Sequence, residues 1–526
     1  MSKQIKNILL AYFVLISVFI LPAQDYFSKR LSFYHPPTWN TTHSILPQND
    51  GYVIVGITGD TVDFYWHQIG LLKIDLQGNE VWTKIVKSET GDYYCGYPGS
   101  TKMRADSTYF YAGSKGCISN DLFYHKGLLI KFDSNWDVIW INEYGDKIMP
   151  LDTSITFLQL NICPDSSMIV SGIEYYFGDN SKAILSKIDK EGKMLWTRRF
   201  SNGGINEGRS VVRASDGGYV LGNYRYIPGQ SITADPIIYK TDSLGNTEWT
   251  KNLGGPYMDY YPTVNISQDG NITIATCYAD SMFSIDKAYS RINVLKINNY
   301  GTIIWNNKYG VSSIRKFLQN IKNSYNETLI SIGFNYTHEY PEVSGWVFKI
   351  DNDGDSLWYR QYYIIKGKDS ENYFYDIVNT NDHGYMLGGY IYPIMPDTGT
   401  QDIWILKLDS VGCDTPGCDP TVGIKRIPGI KNKDDLFIFP NPASEEINCL
   451  IHRSFPSSTK AYGGGSSEGG SIYLYDIWGR LIESVKIPSG QSQIRIDVSD
   501  YTPGVYFVVL KEGKVVLGRK KVVVCD

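Results

Sequence analysis

The chain has 526 residues, of which 42% are hydrophobic and 20% charged, and its formal net charge is −5. These values exclude a largely disordered chain, and the length predicts two or three domains unless repeats extend one of them. The sequence has no basic run that could neutralise many phosphates, which argues against nucleic-acid binding. The 41 tyrosines and 50 glycines favour an all-β protein rich in turns, because tyrosine suits half-wet pleated surfaces.

The N-terminal segment has the organisation of a secretory signal peptide. Lys3 and Lys6 precede an apolar stretch, Ile8–Leu21, which is shorter than the about 20 residues that a membrane span needs. We therefore predict a signal peptide at residues 1–23 and a mature chain without a transmembrane segment. An uncleaved membrane anchor is the alternative interpretation of this segment.

One pattern recurs seven times after the first seventy residues. It reads LLKIDLQGNEVW from Leu71, and its variants include LIKFDSNWDVIW and VFKIDNDGDSLW. The lysines of the seven copies are Lys73, Lys131, Lys187, Lys240, Lys296, Lys349 and Lys407. Six copies end in a tryptophan, and these are Trp82, Trp140, Trp196, Trp249, Trp305 and Trp358. A short acidic or glycine turn with an apolar strand precedes each copy, so every repeat has four strand candidates.

Four strands per unit and a period near 50 residues are typical of a propeller blade. The seventh unit lacks its outer strand, and the segment Tyr26–Phe33 resembles the outer strands of the other units. Pairing the two would remove exposed sheet edges. We therefore predict a seven-bladed β-propeller with four-stranded blades at residues 24–412, in which the N-terminal strand closes the last blade.

The recurring tryptophans are predicted to be structural. A large ring on the same strand of six repeats fills the space between neighbouring blades, where each ring would bury ~200 Å². A ligand-stacking role would instead predict tryptophan in one or two blades. The repeated Lys-Ile-Asp is similarly interpreted as a strand end followed by a turn.

The repeat stops after Asp409. Residues 413–434 are rich in Gly, Pro, Lys and Asp and are interpreted as a linker. Short strand candidates alternate with turns over residues 435–526, which predicts a small Ig-like β-sandwich. An insertion from about Pro456 to Gly470 is rich in Gly and Ser and is expected to form a loop.

Three blocks of this C-terminal segment resemble the type A C-terminal sorting domain of the Bacteroidetes type IX secretion system. They are a Pro-Asn-Pro block, the strand and turn YDIWGRLI, and the block PGVYFVVL followed by a basic strand. The residues that carry the match are Pro440, Asn441, Pro442, Asp476, Gly479, Arg480, Pro503, Gly504, Tyr506, Lys520 and Lys521.

The resemblance implies Sec export to the periplasm, passage through the type IX secretion machinery and removal of the domain by a sortase-like peptidase. It places the product at the outer-membrane surface or outside the cell. An ordinary adhesion-type β-sandwich is the alternative for this domain.

The eight cysteines of an exported chain are free to form disulfides. Proximity in the sequence suggests three pairs, Cys95–Cys117, Cys413–Cys418 and Cys449–Cys525. The two remaining cysteines, Cys163 and Cys277, could equally be paired or buried. Neither the cysteines nor the seven histidines have the spacing of a zinc site, and no cofactor is predicted.

The sequence contains no recognisable catalytic constellation. The best metal candidate is the DNDGD segment, in which Asp351, Asp353 and Asp355 could offer oxygen ligands to calcium, although a solvated turn is favoured. The function predicted is a non-catalytic, secreted or cell-surface propeller that binds an extracellular protein or glycan. The alternatives are a hydrolase or lyase, with a site assembled from blade loops at the propeller mouth, and a purely structural spacer or adhesin.

Overall fold

The computed structural model divides the chain into two compact units, Met1–Gly423 and Ile424–Asp526. The described residues form strands and turns but no helix, so none of their elements is a helix long and apolar enough to cross a membrane. The predicted signal peptide, most of the predicted linker and most of the Gly/Ser-rich insertion lie outside the described residues. The described residues are 26–34, 38–60, 67–119, 122–145, 153–176, 180–227, 234–284, 287–310, 314–336, 342–367, 369–392, 401–416, 418, 436–439, 443–451, 470–477, 479–488, 491, 493–512 and 515–525.

The first unit is built of antiparallel strands that follow one another along the chain. Their bounds are β1 (Phe27–Leu31), β2 (Thr38–Gln48), β3 (Gly51–Asp60), β4 (His67–Asp75), β5 (Glu80–Val86), β6 (Tyr93–Cys95), β7 (Thr101–Met103), β8 (Tyr109–Ser119), β9 (Leu122–Phe132), β10 (Val138–Tyr144), β11 (Thr153–Ile162), β12 (Met168–Tyr176), β13 (Asn180–Ile188), β14 (Met194–Phe200), β15 (Ile205–Arg213), β16 (Tyr219–Tyr226), β17 (Ala234–Thr241), β18 (Thr247–Asn252), β19 (Tyr260–Ile266), β20 (Ile272–Ser284), β21 (Lys287–Ile297), β22 (Ile303–Tyr309), β23 (Arg315–Asn323), β24 (Leu329–Tyr336), β25 (Val343–Ile350), β26 (Ser356–Tyr362), β27 (Glu371–Asn379), β28 (Tyr385–Tyr392) and β29 (Asp402–Leu408).

Antiparallel pairing divides the described strands of this unit into seven groups, each with four strand positions; one parallel pair, Val343 with Glu371, links the sixth and seventh groups into an eight-stranded sheet. Groups one and three to six are β2–β5, β11–β14, β15–β18, β19–β22 and β23–β26. In the second group the first strand is interrupted, so both β6 and β7 pair with β8. The seventh group is β27–β29 with β1 as its fourth strand. This arrangement confirms the all-β prediction and is propeller-like.

The fourth strand of the last group comes from the start of the chain, as the sequence predicts. β1 pairs antiparallel with β29, and Phe27 lies opposite Lys407. In the complete groups the repeat lysine lies opposite the repeat tryptophan in the same way, for example Lys240 opposite Trp249. Phe27 therefore occupies the position of the missing seventh tryptophan.

The turn between the third and fourth strands forms for a local reason. In the first group the Asp75 carboxylate accepts hydrogen bonds from the backbone N–H groups of Gln77 and Asn79, at 2.9 and 2.7 Å. Gly78 has a φ of 75°, a backbone angle that residues with a Cβ rarely adopt. The second group differs because Trp136 occupies the glycine position with a φ of 64° and stacks on Tyr109, with 4.0 Å between ring centroids.

Neighbouring groups are joined by contacts of one kind. A polar residue at or just before the first strand of one group bonds to the beginning of the third strand of the previous group. The contacts are Asp92 with His67, Ser154 with His125, Asn206 with Ser181, Asp259 with Ala234, Lys316 with Ser290, Asn372 with Val343, and Asn40 with Gln401. The last contact joins the first group to the seventh, which places the two ends of the series side by side.

The second unit contains two described sheets. Its strands are β30 (Leu436–Phe439), β31 (Glu446–Ile451), β32 (Gly470–Tyr475), β33 (Leu481–Lys486), β34 (Gln493–Asp497), β35 (Gly504–Glu512) and β36 (Val515–Val524). One sheet has the order β30-β31-β34 and the other β33-β32-β35-β36. The sheets share one hydrophobic core, in which Ile447, Ile472 and Val508 are fully buried.

One of the three suggested disulfides is present, between Cys413 and Cys418. The other two suggestions are wrong. Strand register places Cys95 opposite Gly113 and Cys117 opposite Tyr124, so the two thiols of the second group do not meet.

In the second unit, Cys449 is buried in the core while Cys525 is exposed beyond the end of β36. Cys163 and Cys277 are buried as free thiols. Sequence proximity therefore identified a pair only where the connection is a tight loop.

Candidate functional site: the centre of the first unit

The first strands of six groups share one irregularity in their pairing. Each of six first strands carries a β-bulge at an equivalent place, and a bulge aims the extra side chain away from the regular alternation. The bulge residues are His43 in β2, Leu158 in β11, Arg209 in β15, Tyr261 with Pro262 in β19, Gln319 in β23 and Tyr375 in β27.

Arg209 lies where these side chains converge. Its guanidinium carbon is 3.9 Å from the ring centroid of Tyr97 and 3.2 Å from that of Tyr261. Its Nε donates to the Glu207 carboxylate at 3.0 Å. Tyr97 belongs to the second group, Arg209 to the fourth and Tyr261 to the fifth. Side chains from groups so far apart in the series meet, so the first strands of these groups face a common centre, called the central channel below.

A wall of aromatic rings lines another side of the channel. Tyr375 and Tyr390 stack with 5.6 Å between centroids, and Tyr373 lies 4.6 Å from Tyr390. The ring of His43 is 5.2 Å from Tyr375. Burial raises the pKa of each of these tyrosines, so their hydroxyls remain protonated. Burial also lowers the pKa of His43 to about 4, against the opposing charge of Asp376, and His43 is neutral at pH 7.

A second charged layer contains Lys102, Lys322 and Asp376. The Asp376 carboxylate accepts hydrogen bonds from Lys322 at 2.6 Å and from the backbone N–H of Ile45 at 3.0 Å. Burial and repulsion from Lys322 lower the pKa of Lys102 to about 8, although Asp376 opposes the shift. Among the described residues nothing accepts a hydrogen bond from the Lys102 ammonium, whereas Lys322 is satisfied. Lys102 is therefore a cation that faces the channel without a partner in the described chain.

Nothing in the local sequence marks these residues as a site. Arg209 and Tyr375 lie in predicted strands, but the bulges that turn them inward are a consequence of strand pairing. Alignment of the equivalent first strands gives one signal. At the bulge position the residue is His, Leu, Arg, Gln or Tyr, depending on the group. The residue type varies at this bulge position, whereas the core positions of the repeat keep theirs. This difference marks the bulge position as one that does not serve the repeated core.

The repeat tryptophans lie on the opposite, outer strands. Trp140, Trp196, Trp249, Trp305 and Trp358 each face the turn glycine of the following group; for example, a Cβ added to Gly301 would lie 3.3 Å from the Trp249 ring. The Trp249 indole also donates to the Asn299 carbonyl at 2.7 Å. Trp82 packs at the edge of the core shared by the first two groups. These positions belong to contacts between neighbouring groups and lie away from the channel.

The Asp-rich segment forms the same turn as the other repeats. The Asp351 carboxylate accepts hydrogen bonds from the backbone N–H groups of Asp353 and Asp355, at 3.0 and 2.7 Å. One oxygen of Asp351, Oδ1, thus accepts both hydrogen bonds of its own turn. Across the described chain, no group of three His, Cys, Asp or Glu side chains is arranged to hold a metal ion.

The described sorting-signal residues of the second unit lie in two places, the turn that contains Asp476 and Arg480 and the strand pair β35–β36. Asp476 and Arg480 close a turn through a 2.6 Å ion pair, with Gly479 at a φ of 78°. Pro503 precedes β35 and Gly504 is the first residue of that strand, whereas Lys520 and Lys521 lie in β36, opposite Val508 and Phe507. Tyr506 is buried and donates to the Thr502 carbonyl at 2.8 Å. Pro440, Asn441 and Pro442 lie outside the described residues.

The turn in the second unit borders a shallow groove. The groove has a volume of about 340 Å³ and contains the turn residues together with Phe507, Lys511 and Arg519. Ile477 in the turn is 57% exposed, which leaves an apolar side chain at the groove's rim.

The first unit thus belongs to the propeller-like all-β proteins. Residues 437–525 match the family described as the secretion system C-terminal sorting domain. The chain therefore carries a type IX secretion sorting domain at its C-terminal end, and the protein is a secreted or cell-surface protein.

Solved structures similar to this chain include several β-propellers. The periplasmic gluconolactonase PpgL of Pseudomonas aeruginosa is 10% identical, with 71% of this chain and 97% of that chain covered and a TM-score of 0.41. The Pan2 WD40 domain of Neurospora crassa is 9% identical, with 73% and 97% covered and a TM-score of 0.40. The β-propeller domain of the trilobed protease of Pyrococcus furiosus is 9% identical, with 70% and 95% covered and a TM-score of 0.38. Comparison of the sequence with curated proteins finds no match.

Proposed function

We propose that this protein is a surface-exposed binding module exported by the type IX secretion system. The match of residues 437–525 to the sorting-domain family is the observation that carries the proposal. In the proposed route, the signal peptide at residues 1–23 directs Sec export to the periplasm. The sorting domain is then recognised by the outer-membrane machinery and removed by a sortase-like peptidase, which anchors the protein at the surface or releases it.

The body of the module is proposed to be a closed, seven-bladed β-propeller, and the C-terminal unit an Ig-like sandwich. Two observations support the closed ring. The contact between Asn40 and Gln401 repeats, between the first and seventh groups, the kind of contact that joins all other neighbours. The β1–β29 pairing gives the last group its fourth strand. A ring of this kind presents a mouth at which a protein or glycan can bind.

Deletion of residues Asp435–Asp526 tests the export proposal. The truncated chain is expected to remain in the periplasm, because the machinery would have no sorting domain to recognise. Fractionation with surface protease digestion measures its location, and deletion of only the Gly/Ser-rich insertion up to the residue before β32, Pro456–Gly469, is the matched control. Normal surface delivery of the chain that lacks Asp435–Asp526 would contradict the proposal.

A hydrolase or lyase at the propeller mouth is the second candidate. The lowered pKa values of His43 and Lys102, both in the channel, favour it, since such perturbed groups concentrate at functional sites. An enzyme of this kind would release shortened saccharide products from a polysaccharide mixture. The product release would fall at least about 100-fold in the Lys102→Met and His43→Gln variants. If the protein binds a polysaccharide but releases no product, the result supports the binding module and contradicts the hydrolase or lyase.

A further inference from the structure

We propose that the central channel binds an acidic saccharide, with the Arg209 guanidinium and the Lys102 ammonium as the groups that recognise its carboxylate. The inference rests on the proposed binding function and names the ligand class for that function. It is carried by the convergence of two incompletely paired cations and a wall of tyrosine rings in one channel.

The guanidinium of Arg209 is held in a fixed orientation with one edge free. Tyr97 and Tyr261 cover its two faces, and Glu207 takes the Nε hydrogen bond. Among the described residues no acceptor receives a bond from its Nη groups. Because the Nη edge of a guanidinium matches a carboxylate in a two-point hydrogen bond, a carboxylate is the group this edge fits. The fixed orientation lowers the entropy lost on binding.

Lys102 supplies the second positive charge. Its neighbour across the channel, Lys322, is already paired with Asp376, so the Lys102 charge is not cancelled locally. Arg209 and Lys322 each have a carboxylate partner, Glu207 and Asp376, and Glu371 is a further carboxylate beside Tyr373.

The aromatic wall favours a saccharide over a simple anion. Tyr373, Tyr375 and Tyr390 present stacked faces, and all three retain their hydroxyl protons. A sugar ring has apolar C–H faces and hydroxyl edges, so it can pack on such rings while it hydrogen-bonds to their hydroxyls. Tyr375 remains partly exposed in spite of its central position, which leaves room for contact with a ligand.

The experiment measures binding of the full mature chain to a galacturonic acid tetrasaccharide by calorimetry. A galactose tetrasaccharide is the uncharged counterpart, and tetraglutamate tests whether a carboxylate on a peptide binds instead. We expect the acidic tetrasaccharide to bind at least about 30-fold more tightly than either of the others. The uncharged sugar loses a desolvated charge pair, and tetraglutamate has no sugar ring to pack on the tyrosines.

Variants separate recognition from folding. Arg209→Gln is expected to weaken binding of the acidic tetrasaccharide at least about 30-fold, and Arg209→Lys about 10-fold, since lysine keeps the charge but not the two-point geometry. Arg213→Gln removes an exposed arginine from the same strand and should leave affinity unchanged. Lys102→Met provides an independent test, because it leaves the Arg209 cluster intact and is expected to weaken binding about 10-fold.

Failure of the inference is distinguishable from failure of the binding function. Equal affinity for the acidic and uncharged tetrasaccharides, or unchanged affinity in both Arg209→Gln and Lys102→Met, overturns the acidic-saccharide assignment while the binding module stands. Tighter binding of tetraglutamate overturns it in favour of an acidic peptide. No binding of the acidic tetrasaccharide by the wild-type chain also overturns it, and glycan-array or pull-down binding then tests the module separately.

Discussion

At the turn between the third and fourth strands, a single glycine of one group packs against the repeat tryptophan of the preceding group. Gly245 has a φ of 81°, and a Cβ added there would lie 2.7 Å from Arg198 and 2.9 Å from the Trp196 ring. The glycine is thus required by its backbone conformation and by its neighbour. Gly203 has a similar φ of 78°, but a Cβ added there would meet nothing within 4 Å.

We predict that Gly245→Ala lowers the free energy of unfolding by about 2–4 kcal/mol. The left-handed conformation costs roughly 1–2 kcal/mol for a residue with a Cβ, and overpacking against Trp196 adds a similar amount. Gly203→Ala carries only the first cost and serves as the matched control. Urea unfolding of both variants measures the difference, and equal losses would contradict a packing role for this glycine.

Five of the repeat lysines, Lys73, Lys187, Lys240, Lys296 and Lys407, form ion pairs with acidic side chains, and such pairs make stability depend on pH. The Lys296 ammonium is buried and donates to Asp269 at 2.7 Å. Burial alone would raise the pKa of Asp269, but hydrogen bonds from Lys296 and Asn271 and the charge of Lys296 outweigh it and lower the pKa to about 2. Because the folded pKa lies below the unfolded one, this contribution is present above about pH 4 and lost as pH falls through 2.

Asp269→Asn is accordingly expected to reduce stability at pH 7 by about 1–3 kcal/mol and to flatten the loss of stability between pH 4 and pH 2. Chemical unfolding at a series of pH values measures both effects. Glu89→Gln makes the same charge change at an exposed position and should reproduce neither. A variant with unchanged acid dependence would show that Asp269 does not couple to folding.

At the scale of the element, β1 is the strand on which the seventh group depends. Phe27 packs near Gly78 of the first group, Ser28 accepts a 3.0 Å hydrogen bond from the Trp404 indole, and Arg30 forms an exposed ion pair with Asp402. The apolar contact therefore joins two groups, whereas the ion pair lies within one.

We expect Phe27→Ala to destabilise the first unit by about 2–4 kcal/mol, because the ring fills the position of a repeat tryptophan. Arg30→Ala removes a solvent-exposed ion pair and should cost at most about 1 kcal/mol. Thermal unfolding compares the two variants on the same strand. A larger loss for Arg30→Ala than for Phe27→Ala would show that the strand is held by charge and that packing contributes little.

The repeated elements could be predicted from the sequence because each carries its own local signals. An Asp-x-x-Gly turn, a lysine and a tryptophan recur in register, and the orphan strand at Tyr26–Phe33 resembles the outer strands. The channel could not be predicted in the same way. Tyr97, Arg209 and Tyr375 are far apart in sequence, and their direction depends on bulges that shift the alternation of side chains.

At the scale of the whole molecule, the cysteines report on the packing of both units. Cys163, Cys277 and Cys449 are buried, and burial raises the pKa values of Cys277 and Cys449 to about 12. Cys525 is exposed. Thiolates rather than thiols react with alkylating agents, so burial protects all three interior cysteines and the raised pKa further protects Cys277 and Cys449.

We predict that alkylation of the native chain labels Cys525 first and labels Cys163, Cys277 and Cys449 only after unfolding. Cys413 and Cys418 should require reduction, because they form a disulfide. Peptide mass spectrometry assigns the labels. Detection of a peptide that links Cys449 to Cys525 would contradict the separation of these residues in the second unit.

The pairing of β1 with β29 also sets the order of events in biogenesis. Leu31 in β1 lies opposite Ile403 in β29, so β1 cannot pair until the chain has reached Ile403. On the proposed export route, the first strand to enter the periplasm is thus among the last to acquire its partner. Until β29 arrives, the earlier sheets can assemble, but the unpaired edge strands stay accessible to chaperones, to proteases and to other copies of the chain.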